Sequence, residues 1–189
     1  YASNAFLAAK ITFINEMADL CEKADADVGD IALGMGLDRR IGPHFLKAGL
    51  GYGGSCFPKD VAALLKTSEE YTTPLRILGA ATAANEAQKV RLVEMVKADL
   101  GDDLTGKRIT LWGLAFKPQT DDMREAPSVP LAEGLIAAGA EVVAYDPAAR
   151  HTAHQILGDT VRYAEDPYQA IEGADALCLV TEWSEFTAP

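Results

Sequence analysis

A cysteine at the entrance of a helix is the residue of this sequence best placed to do chemistry. Segment 51–60 has the sequence GYGGSCFPKD, in which Cys56 follows a glycine-rich run and precedes a stretch of helical periodicity. The unpaired N–H groups and positive dipole end of a helix N-terminus favour the thiolate, the nucleophilic form of a thiol. Glycines also let the backbone approach a ligand closely. The segment therefore predicts a nucleophilic thiol beside a binding loop.

Asp60 is the second residue of this segment with chemical potential. It follows Cys56 by four residues, so both side chains project from one face of a helix. A carboxylate there can orient or deprotonate a water that attacks a group held on the sulfur. The same carboxylate opposes thiolate formation, so we expect a cation nearby. Taken alone, the motif is equally compatible with an ordinary loop-to-helix junction that contains a small buried cysteine.

The residues around this motif predict a helical module with one long loop. Residues 38–55 contain Pro43 and five glycines, which predict a loop that ends at the cysteine. Asp27 suits a helix N-cap, and Pro58 suits the first turn of a helix, where its missing N–H has no cost. Helical periodicity predicts four helices, at 4–22, 27–34, 57–70 and 74–100.

Strands alternate with helices after residue 105, which predicts a parallel, doubly wound sheet. The fold class is therefore α/β: a helical module over 1–104 followed by a Rossmann-like domain over 105–189, with the boundary near 101–106. The predicted strands and helices of the second domain are strands 108–112, 141–145 and 176–180 and helices 129–138 and 166–171.

Composition excludes several classes of function. The chain has 189 residues, 49% hydrophobic and 24% charged, and contains no apolar run of the roughly 20 residues that a membrane span needs. The net charge of −11 argues against nucleic acid or an anionic membrane as the main partner. Three scattered cysteines form neither a disulfide framework nor a metal-binding pair, so a reducing, cytoplasmic setting is expected.

Motifs in three regions of the chain, in this order, resemble those of the UDP-glucose/GDP-mannose dehydrogenase family. They are NAFLA at 4–8, GGSCFPKD at 53–60, and the pair WGLAFK at 112–117 and DDMRE at 121–125. The family has an NAD-binding Rossmann domain, a helical middle that forms dimers, and a final nucleotide-binding domain. This sequence resembles the last two and contains no GxGxxG fingerprint. We therefore expect a fragment without the NAD domain, truncated at its end, and a homodimer through the central helices.

The resemblance also implies a reaction, the NAD-dependent, four-electron oxidation of UDP-glucose to UDP-glucuronate. Cys56 would hold the sugar as a thiohemiacetal and then as a thioester, which water positioned by Asp60 and Asn4 would hydrolyse. The family's lysine four residues before this asparagine would fall ahead of Tyr1. Lys10 is not its equivalent and is interpreted as a helix-surface charge.

The remaining site residues follow from the resemblance, position by position. Arg40 matches an arginine that reaches the neighbouring subunit's substrate, and Arg124 one that reaches the NAD phosphates, with Cys56 and Lys59 also assigned to the cofactor. The other residues assigned to the nucleotide sugar are Phe45, Lys47, Gly49, Tyr52, Gly53, Phe116 and Lys117.

Three alternatives stay open on the sequence. The substrate could be GDP-mannose or a related sugar nucleotide, although Gly51-Tyr52 and segment 112–117 favour UDP-glucose. The chain alone could be a non-catalytic dimerisation and nucleotide-binding module, which is what we expect of it in isolation. A cysteine hydrolase or acyltransferase is the third, with His44 as its candidate base.

Several other residues have simpler interpretations. Cys21 and Cys178 lie in apolar patterns and are predicted to be core residues. His151 and His154 have a spacing that suits a metal, but no third ligand lies near in sequence, and no metal site is predicted. Asp146 ends a strand where an acidic residue can bind ribose, although a structural role is favoured.

Overall fold

The computed structural model describes residues 1–186 and divides into two units, residues 1–88 and the residues from 89 onward. Helix α4 (Arg76–Leu100) belongs in part to each unit. The domain boundary at 104–105 follows this helix and stays a prediction. Among the described residues, none of the helices combines the length and the apolar composition that a membrane span requires.

The first unit is helical, as predicted. Helix α1 spans Ala2–Ala24, α2 spans Val28–Leu37 and α3 spans Phe57–Glu70. Asp27 caps α2, because its carboxylate accepts the Gly29 N–H at 2.7 Å. The start of each helix lies within two residues of its predicted position, whereas α2 continues to Leu37 instead of ending at 34.

The core of the first unit ties the cysteine loop to the helices. Residues 38–55 form no helix or strand, so the loop depends on contacts with its neighbours. Tyr52 inserts from this loop between α1 and α3 and is only 6% exposed. The buried residues of this core are Ala5, Ala8, Tyr52, Val61 and Leu78.

The second unit contains a parallel four-stranded sheet in the order β3-β2-β1-β4. Strand β1 is central, with Ile109 opposite Val142 of β2 on one side and Ala176 of β4 on the other. The elements are β1 (Arg108–Trp112), α5 (Ser128–Ala137), β2 (Glu141–Tyr145), α6 (Arg150–Leu157), β3 (Arg162–Tyr163), α7 (Pro167–Ile171) and β4 (Ala176–Leu179).

Both faces of the sheet are covered, which confirms the doubly wound arrangement. Along β1, Ile109 and Leu111 enter the large core that includes residues of α5 and α6. The alternate residues face α7: the Thr110 hydroxyl donates to the carbonyl of Ala170 at 2.6 Å, and Trp112 packs in a small second core. This alternation is the two-residue period of a strand buried on both sides.

The sequence prediction missed two elements of this unit. Helix α6 and the two-residue strand β3 lie between β2 and α7, so strand 176–179 is the fourth strand and not the third. Helix α6 has only eight residues, of which Ala153 and Leu157 are buried, so the segment is short for a helix to be detected from its sequence. The two residues of β3 are too few to show any alternation.

Candidate functional site

Cys56 lies at the entrance of α3, as the motif predicted, and its side chain is exposed. Its carbonyl accepts the N–H of Asp60 at 2.9 Å, which places the cysteine at the N-cap. The Ser55 hydroxyl lies 3.7 Å from the sulfur. The sulfur is therefore accessible to a ligand, and the interpretation as a small buried cysteine is wrong.

Asp60 lies one turn further into α3 and is 7% exposed. Its Oδ2 accepts a hydrogen bond from Nδ2 of Asn4 at 2.6 Å, across 56 residues of sequence. Its Oδ1 lies 3.5 Å from the ammonium of Lys59, the cation that the motif led us to expect. Oδ1 is buried and accepts no hydrogen bond from the described residues. The fold thus brings Asn4, Asp60 and Lys59 together at the entrance of the cysteine helix.

Three buried amide side chains hold the loop before the cysteine. Asn15 accepts the Gly49 N–H at 2.8 Å, and Gln88 donates to the Gly49 carbonyl at 2.7 Å. Asn85 accepts the Tyr52 N–H at 2.8 Å and donates to the Tyr52 carbonyl at 3.2 Å. Sequence reasoning missed these amides. The available signal was polar residues on helix faces that pack inward.

Two residues predicted to fold over the ligand meet at an aromatic cluster. Tyr52 contacts the Phe57 ring edge-on, with ring centroids 6.0 Å apart. Phe45 lies 5.9 Å from the same ring, is 41% exposed and has a φ of 63°. Phe57, which the sequence did not single out, therefore contacts both the exposed Phe45 and the buried Tyr52 of the loop.

Lys10 is a charge at the helix surface, as the sequence suggested, but its ammonium has specific partners in the loop. Its ammonium donates to the carbonyl of Ile41 at 3.0 Å and to that of His44 at 2.7 Å. Helical periodicity did not predict these partners, because it does not show that a loop distant in sequence lies against this position. Lys10 therefore fixes the loop at residues that follow Arg40.

The other residues predicted for the loop lie on its surface. Two nitrogens of the Arg40 guanidinium, Nε and Nη2, donate hydrogen bonds to the carboxylate of Asp38. This contact holds the pKa of Asp38 below its ordinary value. Lys47 is exposed and lines a cavity of about 500 Å³ between the loop and α2. Gly53 lies between Gly51 and Gly54, whose φ angles are 93° and 80°.

The turn after β1 in the second unit is organised by Asp146. Its Oδ2 accepts the N–H groups of Leu114 and Ala115 at 2.6 and 3.1 Å. Its Oδ1 accepts the N–H groups of Ala148 and Ala149 at 2.8 and 2.7 Å. Both oxygens are thus used within the protein, which confirms the structural interpretation of this residue.

One loop brings the predicted residues of the second unit together. The N–H of Phe116 donates to the carbonyl of Asp122 at 3.1 Å, and the Asp122 carboxylate binds the guanidinium of Arg124 at 2.6 Å. The Lys117 ammonium lies 5.3 Å from the centroid of the Phe116 ring. Arg124 holds the pKa of Asp122 below its ordinary value, and Lys117 contributes less.

The simpler interpretations of the cysteines are confirmed. Cys21 and Cys178 are buried, and burial raises the pKa of Cys178 to about 11. His151 pairs with Gln155, and His154 with Asp159. Within residues 1–186, no three His, Cys, Asp or Glu side chains are grouped as metal ligands.

Comparisons with known proteins place this arrangement in a class of enzymes. Residues 1–87 match the central domain of the UDP-glucose/GDP-mannose dehydrogenase family, and residues 110–189 match the UDP binding domain of the same family. The chain belongs to the UDP-glucose/GDP-mannose dehydrogenase family. This assignment confirms the resemblance that the sequence motifs carry.

Individual relatives narrow the comparison further. The chain is 51% identical to UDP-glucose 6-dehydrogenase of Rhizobium meliloti (strain 1021), and the match covers 100% of this chain and 43% of the relative. It also resembles the structure of a UDP-glucose dehydrogenase from Pyrobaculum islandicum, at 40% identity and a TM-score of 0.95, over 98% of this chain and 43% of that one. A GDP-mannose dehydrogenase from Pseudomonas aeruginosa matches at 27% identity and a TM-score of 0.66, over 98% and 44%. The chain thus spans less than half the length of these relatives.

Proposed function

We propose that this chain supplies the catalytic cysteine and part of the sugar-nucleotide site of a UDP-glucose 6-dehydrogenase. The observation that carries the proposal is the exposed thiol of Cys56 at the entrance of α3, one turn before a buried carboxylate. Eight curated relatives, from 51% to 41% identical to this chain, have UDP-glucose 6-dehydrogenase in their names, one of them as putative, and support the choice of substrate.

Cys56 binds C6 of the sugar covalently after the first oxidation and before the second. The thiolate adds to the aldehyde carbon of C6, forming a C–S bond, and the aldehyde oxygen takes up a proton to give a thiohemiacetal. The second two-electron oxidation converts this carbon to a thioester. Exposure of the sulfur supports this role, because a buried thiol could not reach a sugar carbon.

Asp60 and Asn4 serve the hydrolysis of the thioester. Water adds to the carbonyl carbon, the C–S bond breaks, and the products are a carboxylate and the free thiol. Asn4 holds one oxygen of Asp60 at 2.6 Å, and the other oxygen accepts no hydrogen bond from the described residues. A buried carboxylate oxygen that lacks a hydrogen-bond partner supports a role for Asp60 in accepting a proton from the attacking water.

NAD, when bound, supplies the electron acceptor for both oxidations. The family resemblance assigns Arg124, Lys59 and Cys56 to the cofactor, and the exposed cations of Arg124 and Lys59 and the exposed sulfur of Cys56 are each compatible with that assignment. The turn after β1 is not a pyrophosphate site, because its N–H groups at Leu114 and Ala115 bind Asp146. This supports cofactor binding mainly by a domain outside this chain, so we expect no NAD reduction by the chain alone.

The substrate-binding roles belong to the same proposal. In the first unit, the fixed main chain of Gly49 and Tyr52 and the exposed side chains of Phe45 and Lys47 suit a loop that folds over a nucleotide sugar. The match of residues 110–189 to a UDP binding domain supports a nucleotide role for Phe116 and Lys117. Arg40 is assigned to the substrate of the neighbouring subunit, and a cytoplasmic location remains a prediction.

We also propose a homodimer formed through the helical unit. No residue of α2 is buried, although the sequence VGDIALGMGL is mostly apolar. Helix α1 exposes Phe6, Phe13 and Leu20, whose spacing of seven residues places them on one face. Both surfaces have the composition of helix faces that pack against another chain.

A chimeric enzyme tests the proposed activity. The NAD-binding domain of the Rhizobium meliloti relative would precede this chain, and NADH formation would be followed with UDP-glucose and with GDP-mannose. We expect two NADH per UDP-glucuronate from UDP-glucose, and loss of complete oxidation in Cys56→Ala. Equal or greater activity with GDP-mannose would transfer the assignment to that substrate class.

A further inference from the structure

The loop before Cys56 is held by side chains and not by secondary structure. Gly49 has both its main-chain N–H and its carbonyl bound by amides, from Asn15 and Gln88. Tyr52 has both groups bound by the single amide of Asn85. The three amides belong to α1 and α4 and are 2%, 9% and 1% exposed, for Asn15, Gln88 and Asn85 respectively. These four hydrogen bonds therefore fix the main chain of Gly49 and Tyr52 to helices α1 and α4.

The close approach of loop and helix makes Gly51 necessary. A Cβ on Gly51 would lie 2.7 Å from Oδ1 of Asn85, and the φ of 93° also disfavours other residues. A loop rich in glycine has large conformational freedom and few side chains to anchor it. The amides supply the anchoring that the glycines cannot. Nδ2 of Asn15 is buried without a hydrogen-bond partner among the described residues, and a fold that carries this cost indicates a specific task for the amide.

We propose that Asn15, Asn85 and Gln88 are positioning residues that hold segment 49–52 in its ligand-binding conformation before the sugar nucleotide arrives. The inference rests on the proposed function and adds the source of the loop's order. When the loop is already ordered, the entropy cost of ordering it is not subtracted from the free energy of ligand binding. Loss of one amide donor therefore weakens sugar-nucleotide binding and alters the presentation of Cys56, which follows the loop directly.

The primary test substitutes Gln88→Met, which keeps the side-chain length and removes the donor to Gly49. Thr12→Val is the matched control, because the Thr12 hydroxyl is buried between the same two helices, bonded to Ala8 and Ala81, and does not contact the loop. UDP-glucose affinity is measured by calorimetry on the whole chain, with thermal unfolding of each variant. We expect Gln88→Met to weaken binding about tenfold, as the loss of one buried hydrogen bond implies, and Thr12→Val to leave affinity unchanged.

The conservative variant Gln88→Glu should have a pH-dependent ligand affinity, which a general loss of stability would not produce. In Gln88→Glu the ionised carboxylate repels the Gly49 carbonyl, whereas the protonated form donates to it as the amide did. Burial favours the protonated form, so affinity recovers as the pH is lowered towards about 5. Gln88→Met shows no such recovery. Absence of recovery in Gln88→Glu would contradict the positioning role.

Two further measurements keep this inference separate from the proposed function. Hydrogen exchange at the Gly49 and Tyr52 amides and the alkylation rate of Cys56 need no substrate. Faster exchange and an altered alkylation rate in Gln88→Met, but not in Thr12→Val, support the inference even if the chain does not bind UDP-glucose. Equal effects of the two substitutions on every readout would overturn it, because the amides would then act through stability alone.

Discussion

The three cysteines of this chain have the same chemical group in different surroundings. Cys56 is exposed at a helix entrance, whereas Cys21 and Cys178 are 3% and 4% exposed. Burial raises the pKa of Cys178 to about 11, so this thiol stays protonated near neutral pH. Exposure therefore selects one thiol of the three for reaction.

Alkylation tests this selection. We expect iodoacetamide at neutral pH to give a single rapid adduct, which peptide mapping places on Cys56, because the thiolate is the reactive form and the other two thiols are shielded. Cys56→Ser removes the rapid adduct, and unfolding in urea makes all thiols reactive. A first adduct on Cys21 would contradict the structure.

The Asn4–Asp60 hydrogen bond links the first and third helices. Asn4→Ala leaves Oδ2 of a buried carboxylate without its donor, and we expect the free energy of unfolding to fall by about 1–3 kcal/mol. Urea denaturation measures the change. Ser3→Ala, at the exposed neighbouring position, is the control and should shift stability by less than about 0.5 kcal/mol. Equal effects of the two substitutions would show that the bond contributes nothing.

Residue-level prediction succeeded where chemistry is local and failed where it depends on distant contacts. The helix-entrance cysteine and the acid one turn later follow from four residues of spacing. The partners of Lys10, the carbonyls of Ile41 and His44, were not predicted because they lie more than 30 residues away. The amides that hold the loop were missed for the same reason.

At the scale of elements, strong periodicity made the prediction reliable. Helix α3 has the predicted bounds, Phe57–Glu70, and strands β1 and β2 also match residue for residue. The elements that were missed, α6 and β3, are short, with eight and two residues, so each offers little sequence from which to predict it. The cluster of Phe116, Lys117 and Arg124 was predicted as separate residues, since the sequence does not show that Asp122 joins them.

The turn after β1 gives a test at this scale. Gly113 has a φ of 89°, and a Cβ there would lie 2.4 Å from Cβ of Thr181. We expect Gly113→Ala to destabilise the fold by about 3 kcal/mol, because strain in φ and a steric clash act together. Thermal or urea unfolding measures the effect.

Gly106→Ala separates these two causes. Gly106 has a similar φ of 79°, but a Cβ there would meet nothing within 4 Å. We expect a loss of only about 1 kcal/mol from the backbone alone. If the two alanine variants lose equal stability, the close approach of Gly113 to Thr181 is wrong.

At the scale of the whole molecule, the net charge of −11 and the exposed apolar helix faces suggest different partners for different surfaces. The acidic surface disfavours nucleic acid. The apolar faces of α1 and α2 are the surfaces that we assign to a second copy of the chain.

Dimer formation can be tested by substitution on α1. Phe13→Glu places a charge in the middle of the exposed row Phe6, Phe13 and Leu20, and we expect it to convert dimers to monomers in sedimentation velocity. Tyr71→Glu changes an aromatic residue that is 77% exposed outside this row, and should leave the dimer intact. A wild-type monomer, or a Phe13→Glu dimer, would contradict the assignment.

Intact-mass analysis of the chimeric enzyme tests directly whether Cys56 carries the sugar as a thioester before hydrolysis. Asp60→Asn removes the proton acceptor for water, so the thioester should accumulate when UDP-glucose and NAD are supplied. We expect one UDP-glucuronyl group per chain, located on Cys56 and released by hydroxylamine. Complete oxidation of UDP-glucose by Cys56→Ala, or an adduct on another residue, would contradict it.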